Sequence, residues 1–166
     1  RSGVSIEPML LGGVQEGKLR AGTENVAGAA ALAKALKMSF EQRYEIEKIK
    51  TMKDTLIEGL TKIDGVVLNS SLEEGAPHIV NFSIPRVKPE VVIQSLAAKG
   101  IHVSTKSACS SKQSLPSHIL LAMGLGKTIA ESAIRISLSF DNTLDEANQF
   151  LQEIETIIHE LKEVMR

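Results

Sequence analysis

The sequence has no tryptophan, a single cysteine and only 3% aromatic residues. One thiol cannot close an intrachain bridge, so a disulfide scaffold is excluded, and such economy suits a reducing compartment. With so few rings, aliphatic side chains must fill the core. Net charge is scarce too, because 19 Lys plus Arg stand against 20 Asp plus Glu and leave -1. That balance gives no polyelectrolyte attraction to nucleic acid or to an anionic membrane. No apolar run approaches the roughly 20 residues that span a bilayer, and no charged n-region precedes a secretory apolar segment. The expectation is a soluble, cytoplasmic chain without nucleic-acid or membrane partners. What is present is ordinary for a globular protein: 166 residues, 43% hydrophobic and 23% charged, enough to bury about two thirds of the unfolded surface in one core. The chain opens on Arg1 rather than Met, and is expected to start inside a larger protein.

Between Leu11 and Asn25 stand Gly12, Gly13, Gly17 and Gly22 among polar residues, a density that predicts a loop needing positive φ or close backbone approach. From Asn25 the strong helix formers Ala, Leu, Lys, Glu and Met dominate. Leu32, Leu36 and Phe40, then Ile46, Ile49, Met52, Leu56, Leu60 and Ile63, recur mostly at steps of three and four. This predicts one long linking helix over 25–63, or two joined near Phe40, reaching about 55 Å at 1.5 Å per residue.

Asp64-Gly65 ends that run. Val66–Leu68, Ile79–Ile84, Ile101–Ser104 and Ala133–Phe140 read as four strands, the last by the alternation of Ile134, Ile136 and Leu138 with Arg135, Ser137 and Ser139. Pro89 starts a short helix that Gly100 stops, and Ser117 to Met123 makes one or two helical turns. Thr143-Leu144-Asp145-Glu146 is a capping box before a terminal amphipathic helix. The expected fold is α+β, a small antiparallel or mixed sheet with helices on one face. Residues 1–24 would form a glycine-rich remnant of another domain, 25–63 the linking helix and 64–166 a small domain.

Three residues are candidates for chemistry. Cys109 lies in Ser107-Ala108-Cys109-Ser110-Ser111 between Lys106 and Lys112, and nearby ammonium groups enrich the nucleophilic thiolate. The bland alternative is a bystander thiol in a surface loop. Arg135 is on the polar side of a strand, suited to clamp a small acid, or else simply faces solvent. Thr23, just before the long helix, could receive a phosphate at a helix N-terminus or be an ordinary cap. One Cys and four scattered His define no metal ligand set.

Taken in order, Gly12 to Asn25 (GGVQEGKLRAGTEN), Ser107 to Ser111 (SACSS), Pro116 to Leu120 (PSHIL) and Ile134 to Leu138 (IRISL) closely resemble the cysteine desulfurases of the NifS and IscS type, class-V aminotransferase relatives. The resemblance covers essentially the whole chain and implies the carboxyl-terminal part of a fold type I pyridoxal-phosphate enzyme. It implies that Cys109 attacks the sulfur of cofactor-bound L-cysteine and becomes a persulfide, that Arg135 holds the substrate carboxylate, and that Thr23 reaches the cofactor phosphate of a neighbouring subunit. It further implies a homodimer that hands sulfur to acceptors such as iron-sulfur scaffold proteins. Lys106 and Lys112 stand where the family commonly has glycine. The family's Schiff-base lysine motif would precede Arg1, so this polypeptide alone is expected to be inactive. A non-catalytic docking module and a persulfide carrier are the competing readings.

Overall fold

The structure, a computed structural model, describes residues 3–71, 73, 75–105 and 116–164. The chain divides into two compact units, Arg1–Arg43 and Tyr44–Arg166.

In the first unit the glycine-rich loop folds around a 3-10 turn at Gln15–Lys18. Gly12 and Gly22 have φ of 154° and 100°, conformations that a side chain would strain. A Cβ at Gly12 would also lie 3.1 Å from the Ala21 Cβ. The loop is tied by its own polar groups. Gly22 N donates to Gln15 Oε1 at 3.3 Å, while Arg20 Nη1 donates to the carbonyls of Gly22 and Thr23 at 3.1 and 2.8 Å. Helix α1 (Val26–Glu41) follows, with Asn25 as its N-cap, Oδ1 accepting from Gly28 N at 2.9 Å.

The helical run is assigned as two helices. A 3-10 turn at Gln42–Glu45 separates α1 from α2 (Ile46–Lys62). Gln42 N donates to the carbonyls of Met38 and Phe40, and the Arg43 guanidinium lies 5.0 Å from the centre of the Phe40 ring. The two helices differ in what they bury. No residue of α1 is buried, whereas α2 buries Ile49, Met52, Leu56, Ile57 and Leu60. Thus α2 packs with the sheet that follows it, as part of the second unit.

That sheet has four strands in the order β1-β2-β4-β3, all antiparallel: β1 (Val67–Leu68), β2 (Ile79–Ser83), β3 (Ser104–Thr105) and β4 (Ala133–Ser137). Alternation along β2 and β4 sends Val80, Phe82, Ile134 and Ile136 to one face, where they meet α2, α3 (Pro89–Ala98) and α6 (Leu144–Val164). Phe82, Leu56, Leu60, Ile134 and Ile154 are almost wholly buried there, each side chain gaining about 1.5–3 kcal/mol on leaving water. Phe82 and Phe150 meet edge to face at 6.2 Å. At the start of α6 the predicted capping box is formed: Glu146 N donates to Thr143 Oγ1 at 3.3 Å, and Thr143 N to Glu146 Oε2 at 2.9 Å.

Several details differ from the sequence reading, among them the end of β4, at Ser137 and not Phe140. Strand β3 begins at Ser104, because Ile101 to Val103 stand off from Ile136 to Leu138 around a cavity of about 360 Å³. An unforeseen helix, α5 (Lys127–Glu131), follows α4 (His118–Ala122). Leu120, Ala130 and Ala133 pack together, so this short pair covers one end of the face opposite the main helices.

Candidate functional site

The part of that opposite face left open by the described residues carries a polar row fixed by strand register. Asn81 of β2 pairs with Arg135 of β4, and Ser104 of β3 pairs with Arg135 from the other side. Directly opposed residues share a face of the sheet. Asn69, just past β1, extends the row, since its N–H donates to the Asn81 carbonyl at 2.9 Å. Strand pairing therefore assembles four polar side chains across the sheet.

Arg135, Asn81 and Asn69 line a cleft of about 450 Å³ together with Ser117, Met123 and Lys53. Arg135 is exposed, and among the described residues no carboxylate forms an ion pair with it. A guanidinium without an acid, in a concave site, is matched to a carboxylate brought by a ligand. Lys53 is 4% exposed and directs its ammonium to the Ala76 carbonyl at 3.4 Å, placing a second cation in the lining. Ser117 caps α4 by accepting from Leu120 N at 3.4 Å. Ile119 and Met123 add an apolar wall. Lys53 escapes sequence reasoning because a lysine on an amphipathic helix reads as solvent-facing.

Cys109, with Lys106 and Lys112, lies outside the described residues. Thr23 belongs to the first unit and Arg135 to the second. Thr23 is exposed, and the structure removes its bland role, because Asn25 caps α1. Among the described residues, no cluster of His, Cys, Asp and Glu could hold a metal ion, and no helix is long and apolar enough to cross a membrane.

Residues 7–150 match the Aminotransferase class-V family, and the chain belongs to it. It is 38% identical over 163 residues to "Cysteine desulfurase IscS" of Methanosarcina thermophila, an alignment covering 98% of this chain and 40% of the relative. It is 37% identical over 166 residues to "Cysteine desulfurase IscS" of Dictyoglomus turgidum, covering 99% and 42%. Among solved structures, a "NIFS-LIKE PROTEIN" superimposes with a TM-score of 0.80 at 35% identity, over 96% of this chain and 40% of the other. A NifS-like protein from Rickettsia africae gives 0.77 at 31% identity, over 94% and 41%. The chain spans about 40% of the length of the curated relatives it matches.

Proposed function

We propose that this chain is the carboxyl-terminal, sulfur-handling part of a pyridoxal-phosphate-dependent cysteine desulfurase, which converts L-cysteine to L-alanine and retains the sulfur on Cys109. One observation carries the reading. Arg135 has no acidic partner among the described residues, in a cleft at which both flanks of the Cys109 segment are anchored: Ser104 pairs with Arg135, and Ser117 lines the cleft. Cys109 follows Ser104 by five residues, so the chain cannot carry it more than about 18 Å from that anchor. The short sequence distance from that anchor supports reading the thiol and the clamp as parts of one site.

Pyridoxal phosphate, when bound, supplies the electron sink that no side chain offers. Thr23 fits one contact to the phosphate of a neighbouring subunit's cofactor, because the residue is exposed and the capping role beside it is taken by Asn25. Arg135 holds the substrate carboxylate by paired charge-assisted hydrogen bonds and so orients the thiol of the bound cysteine. The Cys109 thiolate attacks that sulfur. An S–S bond forms as the substrate's C–S bond breaks, and the electron pair left on carbon takes up a proton to give alanine. The persulfide on Cys109 is then available to an acceptor, such as an iron-sulfur scaffold protein. The parent enzyme acts as a cytoplasmic homodimer, and this polypeptide by itself is inactive because its sequence does not contain the Ser-Gly-His-Lys motif of the family's Schiff-base lysine.

The test uses the full-length, cofactor-loaded enzyme. Cys109→Ser should retain cofactor absorbance and lose transfer of sulfur from cysteine to an added thiol acceptor. Undiminished transfer by that variant refutes the reading.

A further inference from the structure

Behind Arg135 lies a chain of hydrogen bonds whose polarity is fixed from one end. The hydroxyl of Ser83, which is fully buried, donates to the Ile129 carbonyl at 2.8 Å. Its single proton is spent there, so its oxygen must accept from the Asn69 amide, and Asn69 Nδ2 donates to it at 2.7 Å. The second proton of the same nitrogen goes to Asn81 Oδ1 at 2.8 Å. The Asn81 amide therefore has its carbonyl end tied to Asn69. Its Nδ2 is left without a partner among the described residues, in the cleft it shares with Arg135.

The arrangement is kept at a cost. Asn69 Oδ1 is buried and unsatisfied, which is rare for a buried acceptor. Turning both amides over would give that oxygen a donor from Asn81, but Ser83 would then face Asn69 Oδ1 and would have to abandon the Ile129 carbonyl to bond it. The backbone of Asn81 is equally restrained. Its N–H donates to Ser70 Oγ at 2.8 Å, and its carbonyl accepts from Asn69 N and Ser70 N at 2.9 and 3.1 Å. A polar side chain held this firmly beside a guanidinium that has no ion pair among the described residues presents a donor of fixed direction.

We propose that Asn81 is a specificity-determining residue whose side-chain Nδ2 donates to the same carboxylate that Arg135 clamps, and that Asn69 is the positioning residue that turns this end of the amide toward the cleft. The inference rests on the reading of Arg135 as a carboxylate clamp. Together the two residues make the site selective for α-carboxylate-bearing thiols over the corresponding aminothiols.

The test compares L-cysteine with cysteamine, which has the same amine and thiol but no carboxylate, in the full-length, cofactor-loaded enzyme. Asn81→Ala should raise the KM for L-cysteine about tenfold, the loss of one hydrogen bond to a charged group, and leave the inhibition constant of cysteamine unchanged. Asn69→Ala should shift the same ratio by a smaller factor. Asn81→Ser, which keeps an oxygen for Asn69 to bond, serves if the alanine variant fails to fold, and should also weaken cysteine selectively. Arg135→Gln is run alongside. If Arg135→Gln shifts the cysteine-to-cysteamine ratio and the Asn81 variants do not, the clamp stands and the present inference is overturned. An Asn81 effect equal on both compounds would be structural and overturns it too. If Arg135→Gln leaves the ratio untouched, the clamp reading fails first.

Discussion

Replacing Arg135 by glutamine separates a ligand-binding arginine from one that only holds the fold. The residue is exposed and has no ion pair among the described residues, so its removal sacrifices no charge contact with them. A substitution of this kind changes stability by no more than about 0.5 kcal/mol. Glutamine retains the hydrophobic stem and fits a strand. The functional cost is quite different, since hydrogen bonds to a charged group contribute about 1.5–3 kcal/mol, which is roughly a 10- to 150-fold fall in kcat/KM for cysteine. Stability is read by urea or thermal denaturation of this chain, and activity by alanine release in the full-length enzyme. A midpoint lowered by more than about 4 °C, or an unchanged kcat/KM, would show that the arginine supports the sheet and not the substrate.

Other substitutions test the packing and the loop. Phe82→Ala removes a ring that is wholly buried against Phe150 and should cost about 3–5 kcal/mol by denaturant titration; a loss below about 1 kcal/mol would contradict the described core. Asn25→Ala should lower the stability of α1 by about 1 kcal/mol, measured by circular dichroism, whereas Thr23→Val should leave helicity unchanged yet loosen cofactor retention in the full-length enzyme. Glu146 is held below its ordinary carboxyl value of 4.5, chiefly by the hydrogen bond from Asn142 and next by Thr143 N–H. Its contribution is therefore complete above that value and is lost as pH falls through the lower folded value. The melting-temperature difference between wild type and Glu146→Gln should accordingly shrink as pH drops from about 6 to about 3, and a constant difference would count against the cap.

The parts of this fold legible in the sequence are those that local physics dictates. The alternation of Ile134 and Ile136 with Arg135 announced β4, Pro89 and Gly100 bracketed α3, and Thr143 with Glu146 announced the start of α6. Helix α5 went unread because its five residues from Lys127 to Glu131 follow Gly126 with no side-chain cap, whereas the equally short α4 is marked by Ser117 before it. Residues Ile101 to Val103 have strand composition but miss the ladder, for which composition alone cannot account. The candidate site divides in the same way. Arg135 stood out as a charged residue on a strand, but Asn81, Asn69 and Ser104 join it only through register, and pairing register between distant segments is not written in any one of them. Lys53 joined the cleft through the fold of the loop around Ala76, again a long-range effect.

The most direct measurement is the mass of the Cys109 peptide, taken from the full-length enzyme after a single turnover with L-cysteine and trapping of reactive sulfur by alkylation. A gain of one sulfur atom on Cys109, absent from Arg135→Gln at the same low cysteine concentration, is the predicted result. Alanine formation with unmodified Cys109, or sulfur found on another residue, would contradict the account.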